Sequence, residues 1–275
     1  MVEARGRLTL EVLRRGEAIN LARAALWIAA EEEPRRCDVA RSLALLDRMG
    51  EEARARIGAS DGPAIEAFNR YLFEEQGFVG NEADYYDPRN SLLHHVIERR
   101  TGIPITLSVV YMEVGQRAGL QVKGVGLPGH FIVRAGVRRN DMQLIDPFHG
   151  RIIDRDECQN RLDIIYGGQV PLADEHLRAV GPRDILVRLL GNLKAIYVQG
   201  QLYRRALGVV ERLLLLAPQD YEMRRDRGLL LAQLGRLHEA IADVESYLNS
   251  ARNAPDHESV REQLKKLQIR QAMLN

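Results

Sequence analysis

The pattern of apolar positions divides the chain into a helical first part, a mixed centre and a helical last part. From Leu8 to about Phe73, apolar residues recur three and four positions apart, as they do on one face of an amphipathic helix. Breaks at Pro34, at Gly58 and at Gly62-Pro63 interrupt this pattern. The segment is therefore predicted to form about three helices.

The centre of the chain predicts helices followed by a small antiparallel sheet. The stretch EEQGFVGNEADYYDPRN lacks periodicity and predicts an ordered loop, after which Asn90 or Ser91 is expected to cap a helix. A second helix is predicted to carry Pro104 in its first turn and to end near Ala118-Gly119. The β-type runs LQVKGVGL, HFIVRAGV and MQLIDPF follow, separated by turn residues. This order of elements indicates an α+β core.

From Asp184 onward the pattern is helical again and repeats itself. GQLYRRALGVVERLLLLAP resembles GRLHEAIADVESYLNSARNAP, and Ala206 and Ala240 are 34 residues apart, which is the tetratricopeptide period. Gly228 precedes Ala240 by twelve residues, as in the motif, whereas Lys194 occupies the matching glycine position of the first unit. The segment HESVREQLKKLQIRQAML predicts a capping helix. An ordinary helical bundle is the alternative.

Composition and charge narrow the classes of function. Of the 275 residues, 45% are apolar, and 39 basic residues balance 38 acidic ones, so no basic surface for nucleic acid is indicated. The N-terminal segment lacks an export signal, and no stretch approaches the roughly 18 apolar residues of a membrane span. Cys37 and Cys158 do not form a paired motif. We expect a cytoplasmic protein without a nucleic-acid or membrane partner.

A histidine and an aspartate lie where two predicted strands meet. His130 begins the run HFIVRAGV, and Asp146 lies near the end of the run MQLIDPF. Antiparallel pairing of these strands would bring the two side chains together, and an aspartate beside a histidine orients the imidazole as a base. The remaining question at this site is which nucleophile faces the pair.

The order of a helix, a strand with histidine and a strand with aspartate resembles the transglutaminase-like, papain-related core. In that family a nucleophilic cysteine opens the helix, two residues after a glycine. The pattern falls on Gly102, Ile103 and Pro104 in this sequence. The resemblance therefore implies that His130 and Asp146 are retained triad positions and that Pro104 marks the position of the lost nucleophile.

A longer stretch is similar to the SirB-type family of bacterial proteins. The similarity is carried by GNEADYYDPRNSLLHHVIERRTGIPITLSVVYMEVGQRAGL, then by GVGLPGHFIVR and IDPFHG, and it covers essentially residues 5–275. That family joins a transglutaminase-like domain to C-terminal tetratricopeptide repeats. The implied domains are a helical N-terminal region (1–75), a transglutaminase-like core of helix and antiparallel sheet (76–181), and all-α tetratricopeptide-like repeats with a capping helix (182–275).

Four other side chains could replace the missing thiol, two of them hydroxyls and two of them cysteines. Ser108 and Thr106, in the first turns of the same helix, are the best placed by sequence, with Ser108 as the weak nucleophile candidate. The alternative is that their hydroxyls cap the helix or pack. Cys158 is expected to be buried as a small apolar residue, and Cys37 belongs to the N-terminal helices.

Further polar residues are candidates for a ligand pocket. Asn90, Arg100, Tyr111 and Glu113 belong to the characteristic stretch of the family, and they are predicted to line a pocket around His130. For Arg100 and Glu113, as for Glu98 and Arg99, the alternative is an ion pair with a surface or structural role.

Two histidine groups raise the question of a metal. His94 and His95 are adjacent, and adjacent helical positions point about 100° apart, so they are interpreted as partly exposed residues without an ion. His130, Asp146 and His149 form an alternative ligand set, but no further ligand is evident. We predict no metal and no cofactor.

The combined prediction is a pseudoenzyme, a non-catalytic protein-interaction or regulatory protein with a protein or peptide partner. The alternative is a cysteine-independent hydrolase or acyltransferase. In that alternative His130 is the base, Asp146 orients it, and Ser108 or a water molecule is the nucleophile. The sequence does not predict an oligomeric state.

Overall fold

The computed structural model describes residues 2–14 and 18–274. It divides into two compact units, Met1–Leu189 and Leu190–Asn275. The first unit opens with α-helices, which is the type of element that the apolar periodicity predicted. These are α1 (Val2–Val12), α2 (Leu21–Glu32), α3 (Val39–Gly58) and α4 (Ala64–Asn69), which continues as a π-helix over Arg70–Glu75.

The separation of α1 from α2 was missed by the periodicity. Apolar residues continue at helical spacing through this segment, so no break was predicted. The start of α2 is fixed instead by Asn20, whose side chain accepts a hydrogen bond from the amide of Arg23 at 2.9 Å. An asparagine N-cap of this kind satisfies an amide that has no partner within the helix.

The next elements surround a buried central helix. A 3-10 turn over Pro88–Ser91 leads into α5 (Leu93–Arg99), and α6 spans Pro104–Arg117. Short parallel strands, β1 (Val79–Gly80) and β2 (Thr101–Gly102), pair just ahead of α6. Every residue of α6 from Pro104 to Gly115 is buried, and the helix packs against α3 and the main sheet.

The predicted bounds of α6 are confirmed, whereas the predicted cap of α5 is wrong. Pro104 opens α6, and Gly119 follows its end with a φ of +96°, a conformation that glycine adopts readily. Asn90 and Ser91 do not cap α5, because both lie in the 3-10 turn and Leu92 precedes the helix without a side-chain cap.

The predicted antiparallel sheet is confirmed, with one strand more than the sequence indicated. Within the described residues it contains β3 (Gln121–Val125), β4 (Ile132–Gly136), β5 (Gln143–Asp146) and β6 (Arg151–Ile153), paired in that order. Val133 of β4 stands opposite Gly124 on one side and Ile145 on the other. Asp154 then caps α7 (Arg155–Tyr166), which packs apolar residues onto the sheet.

The C-terminal part is helical throughout, as predicted. Its helices are α8 (Pro182–Gln199), α9 (Tyr203–Leu216), α10 (Tyr221–Gln233), α11 (Leu237–Ser250) and α12 (His257–Ala272). Helix α8 crosses the division between the units at Leu189 and Leu190. In the second unit, Val260 of α12 packs with buried Val244 and Tyr247 of α11, which is the covering contact expected of a capping helix.

Small residues bring α10 and α11 together, as the repeat pattern predicted. A Cβ atom built on Gly228 would lie 2.9 Å from Cγ2 of Val244 and 3.1 Å from the carbonyl oxygen of Ala240. In the preceding repeat the glycine position holds Lys194, whose Nζ lies 2.7 Å from Oδ2 of Asp226. Within the described residues, no helix combines the length and the apolar character needed to cross a membrane.

Candidate functional site

The structure brings His130 and Asp146 together at one edge of the sheet. His130 lies in the turn between β3 and β4, directly after Gly129, which has a φ of +71°. Asp146 is the last residue of β5. Nε2 of His130 is 3.0 Å from Oδ2 of Asp146, and the two side chains are 6% and 0% exposed.

The Asp146 carboxylate is also engaged by three other groups. Oδ2 lies 2.8 Å from Nδ1 of His149 and accepts a hydrogen bond of 2.8 Å from Arg161 on α7. Oδ1 accepts a hydrogen bond of 3.0 Å from the amide of Phe148. The His130 contact is short but falls outside hydrogen-bond alignment. His130, His149 and Arg161 therefore share Oδ2 of Asp146.

Electrostatics set the charge state of the pair. Burial alone would raise the pKa of Asp146, but His130, His149 and Arg161 together hold that pKa well below its usual value. Burial lowers the pKa of His130 by more than the neighbouring carboxylate raises it. At neutral pH the site therefore holds an ionised aspartate beside a neutral imidazole, which is the protonation state of a general base.

The start of α6 offers this base no thiol. Pro104 is buried at the first position of the helix. The hydroxyl of Thr106 donates to the carbonyl oxygen of Asn90 at 2.7 Å and accepts from the amide of Ile103 at 3.2 Å, so it caps the helix. The hydroxyl of Ser108 is fully buried, and it lies 3.5 Å from the carbonyl oxygen of Phe131.

Both cysteines are buried at other places. Cys158 lies on α7 with 0% exposure, among Ile132, Leu162 and other apolar side chains, as expected of a small apolar residue. Burial raises the pKa of the Cys158 thiol to about 11 and that of Cys37 to about 12. Thiols with such pKa values are protonated at neutral pH and are poor nucleophiles.

Asn90 and Arg100 contact the loop and helices beside α6. The Asn90 amide group donates to the carbonyl oxygens of Asp84 at 2.7 Å and Tyr85 at 3.3 Å. Arg100 has a φ of +58° and donates to Oε1 of Gln76 at 3.0 Å. These contacts fix the loop that leads into the 3-10 turn.

Tyr111 and Glu113 tie α6 to the N-terminal helices. The Tyr111 hydroxyl donates to Oδ1 of Asn69 at 2.8 Å, and Oε1 of Glu113 accepts from the amide of Ala22 at 3.1 Å. The hydrogen bonds of Asn90, Arg100, Tyr111 and Glu113 thus run to elements other than β4 and β5. Their role in a pocket around His130 stays a prediction.

Two arginines that the sequence did not single out support the site. Arg161 reaches Asp146 from 15 residues away, and Arg188 on α8 donates to the carbonyl oxygens of Leu127 at 3.0 Å and His130 at 2.7 Å. Arginine is common on surfaces, so its presence in α7 and α8 gave no signal. Arg188 fixes both ends of the turn that carries His130.

A cleft of about 750 Å³ is lined by Phe148 and His149, together with Gly80, Asn81 and Glu82. Ligand atoms of His130, Asp146 and His149 lie within 4.8 Å of one another, as the alternative metal set requires. The Arg161 guanidinium on the same carboxylate oxygen opposes a second cation there.

The interpretation of His94 and His95 as partly exposed is corrected for His94. Its side chain is only 1% exposed, and that of His95 is 11% exposed. The two rings also do not diverge, since their centroids are 4.1 Å apart and both Nε2 atoms face Oε2 of Glu33.

Comparison with known proteins gives the class to which this fold belongs. A family model described as transglutaminase-like superfamily matches residues 40–191, and a tetratricopeptide repeat model matches residues 193–265. The fold and the sequence thus define a transglutaminase-like core followed by tetratricopeptide-type helices. No solved structure matches the chain.

The relatives give the family. A UPF0162 protein of Xylella fastidiosa is 42% identical over 67% of this chain and 66% of its own length. A UPF0162 protein of Vibrio cholerae is 30% identical over 82% of this chain and 80% of its own. Protein SirB1 of Salmonella typhimurium is 27% identical over 84% and 86%. The chain belongs to the UPF0162/SirB1 family, as the resemblance of the central motifs predicted.

Proposed function

We propose that this protein is a non-catalytic protein-interaction or regulatory protein built on a transglutaminase-like core. The observation that carries the proposal is that Pro104 opens α6, where the resemblance to the superfamily implies the position of the nucleophile. Cys37 and Cys158 are buried elsewhere with raised pKa values. A base without a thiol to deprotonate does not support the usual acyl-transfer chemistry.

The His130–Asp146 pair has a structural role in this proposal. Arg161 and His149 share Oδ2 of Asp146, so the carboxylate joins β5 to α7 and to the following turn. Arg188 holds the His130 carbonyl oxygen at 2.7 Å. The pair and its arginines fix the turn between β3 and β4, so this edge of the core presents a rigid surface to a partner.

Exposed apolar side chains lie around that turn and support partner binding. Ile164 is 85% exposed and Ile165 45% exposed, although both are large and apolar. Ile165 packs against Gly129, since a Cβ built there would lie 2.6 Å from its Cδ1. Tyr85 and Tyr166 act electrostatically on Arg188, which donates to both ends of the same turn. Contiguous exposed apolar patches mark interaction surfaces, and in this proposal these side chains form such a patch for a protein or peptide partner.

The tetratricopeptide region supplies a second surface for a protein partner. Repeats of this type are commonly interaction modules, which agrees with the family match over residues 193–265. In this proposal the region of residues 1–75 supports the core, residues 76–181 carry the surface around His130, and residues 182–275 carry the repeats.

Partner capture tests the interaction proposal. The full-length chain is immobilised and compared with Ile164→Asp, at the core surface, and with Ile269→Asp, at a 57% exposed position of α12. We expect Ile164→Asp to lose the partners of the core surface and Ile269→Asp to lose only partners of the repeats. Loss only with Ile269→Asp would move the interaction to the helical repeats. Identical partner sets for the three chains would contradict both surfaces.

The second candidate function is a cysteine-independent hydrolase or acyltransferase. A neutral His130 imidazole beside an ionised Asp146 favours it, with Ser108 or a water molecule as the nucleophile. The wild type, His130→Gln and the exposed-site control His238→Gln are incubated with peptide, amide and ester substrates. We expect no turnover above the uncatalysed rate. Turnover that is lost in His130→Gln and kept in His238→Gln would overturn the non-catalytic proposal.

A further inference from the structure

A second cluster of chemically active side chains lies where α2 ends and α5 begins. Glu33 directly follows α2, and His94 and His95 lie in the first turn of α5. Oε2 of Glu33 is 2.8 Å from Nε2 of His95 and 3.5 Å from Nε2 of His94. One ligand atom from each of the three residues lies within 4.8 Å of the others.

His94 is the unusual member of this cluster. It is 1% exposed, yet neither of its ring nitrogens has a hydrogen-bond partner among the described residues, and the 3.5 Å contact with Glu33 falls outside hydrogen-bond alignment. Buried polar atoms in native proteins nearly always have a partner, so an exception needs an explanation. A bound ion would accept the lone pair of one of these nitrogens.

The rings of His94 and His95 can reach one ion although the two residues are adjacent on a helix. Adjacent helical positions differ by about 100° around the axis. The imidazole rings of His94 and His95 nevertheless turn toward the same carboxylate, with a tilt of 34° between their planes. The direction of a Cα–Cβ bond therefore does not decide where the ring nitrogen lies.

We propose that Glu33, His94 and His95 bind a divalent transition metal ion, of which Zn²⁺ fits the ligands best. Two imidazole nitrogens and one carboxylate oxygen are a set that zinc takes, whereas calcium and magnesium prefer oxygen alone. Bonds of about 2.0–2.1 Å in tetrahedral geometry put ligand atoms roughly 3.3 Å apart. The two separations from Oε2 of Glu33, 2.8 and 3.5 Å, lie on either side of that value.

The surroundings agree with a cation that crosslinks two helices. Glu33 and His95 are 19% and 11% exposed, which leaves the fourth coordination position open to water. Glu98 lies close enough to act electrostatically on His94 and adds negative charge. Among the described residues no arginine forms an ion pair with the Glu33 carboxylate, although Arg89 acts on it at longer range, whereas Arg161 pairs directly with Asp146 at the other histidine cluster. The ion would join positions 62 residues apart in the chain.

The test is zinc binding by the metal-free, full-length chain. Calorimetric titration with Zn²⁺ gives the stoichiometry and affinity, and the visible absorption of bound Co²⁺ reports the geometry. We expect one equivalent per chain. Glu33→Gln and His95→Gln should each weaken binding by more than about tenfold, since even changes outside the ligand shell cost that much at zinc sites. His149→Gln, from the other histidine cluster, should bind as the wild type does.

Circular dichroism establishes that each variant is folded, and two independent ligand variants keep the test decisive if one misfolds. The absence of saturable Zn²⁺ binding at micromolar concentration would overturn the proposal. Binding that is lost in His149→Gln and kept in Glu33→Gln would also overturn it, because the ion would then belong to the His130 cluster.

Discussion

At the scale of single residues, Asp146 is the electrostatic centre of the candidate site. It is 0% exposed, and one of its oxygens contacts His130, His149 and Arg161. In Asp146→Asn, Arg161 would remain partly buried without its counter-charge. Removing one member of a buried ion pair costs about 3–5 kcal/mol, and we expect a loss of this size in urea unfolding. Asp61→Asn, at an exposed position, should change the unfolding free energy by less than about 0.5 kcal/mol. A loss of similar size in both variants would contradict this role.

The histidine of the pair predicts how stability depends on pH. Burial lowers the pKa of His130 below its usual value of 6.5, so the unfolded chain binds this proton more readily than the folded chain does. The His130 contribution is fully present above pH 6.5 and is lost as the pH falls through the folded-state pKa, at up to about 1.4 kcal/mol per pH unit.

His130→Gln should therefore flatten the loss of stability below pH 6.5. Part of the slope should remain, because burial also lowers the pKa of His94. The measurement is the unfolding free energy by urea at a series of pH values from neutral to mildly acidic. Parallel curves for the variant and the wild type would show that His130 is not the source.

At the scale of elements, the sequence predicts a helix end correctly where a single residue at that end determines it. Helix α6 begins at Pro104, because proline is tolerated in the first turn of a helix. It ends just before Gly119, because glycine readily adopts the positive φ found there. β6 was missed because three residues are too few to display an alternating pattern. Asn90 does not cap α5 as predicted, because its amide group donates to the carbonyl oxygens of Asp84 and Tyr85 in the preceding loop.

The candidate site was predictable where the pairing of β4 with β5 brings it together, although His130 lies in the turn just before β4 and not in the strand. His130 and Asp146 followed from the strand order, whereas Arg188 reaches the His130 carbonyl oxygen from 58 residues away. The burial of His94 and the convergence of the His94 and His95 rings differ from the prediction for a related reason. Helix geometry gives the directions of the Cα–Cβ bonds, but the rotation of the rings toward Glu33 depends on where α2 ends.

The close contact between α10 and α11 predicts that the repeats are sensitive to a larger residue at Gly228. A methyl group on Gly228 would overlap Val244 and the Ala240 carbonyl oxygen. Overpacking costs about 1–3 kcal/mol, which exceeds the gain of up to about 1 kcal/mol in helix propensity, so we expect Gly228→Ala to lose about 1–2 kcal/mol on urea unfolding.

Gly208→Ala is the matched control for this substitution on α9. A Cβ atom built on Gly208 would lie 3.6 Å from Nη2 of Arg212, which is an ordinary van der Waals contact. The control should be neutral or stabilising by up to about 1 kcal/mol. A loss in the control equal to that of Gly228→Ala would mean that the close approach of α10 and α11 is not the cause.

At the scale of the whole molecule, each compact unit has an apolar core of its own. In the first unit, Cys158 and Leu162 of α7 pack with Ile132 of the sheet. In the second unit, Val244 and Tyr247 pack with Val260. Local opening depends on the contacts of the segment that opens. We therefore expect a core substitution to raise amide hydrogen exchange in its own unit first, as measured by mass spectrometry of peptic fragments.

Asp146→Asn and Gly228→Ala destabilise different units, so each variant should raise exchange in its own unit and leave the other unit unchanged. Asp146→Asn should raise exchange in β4, β5 and α7, because Asp146 joins β5 to α7 through Arg161, and should leave α11 and α12 as in the wild type. Gly228→Ala should raise exchange in α10 and α11 and leave the sheet unchanged, because the atoms it would displace belong to α11. Helix α8 contains residues of both units, so its exchange reports whether opening of one unit spreads. Equal increases throughout the chain in both variants would mean that the molecule unfolds as one cooperative body, and the expectation of local opening would be wrong.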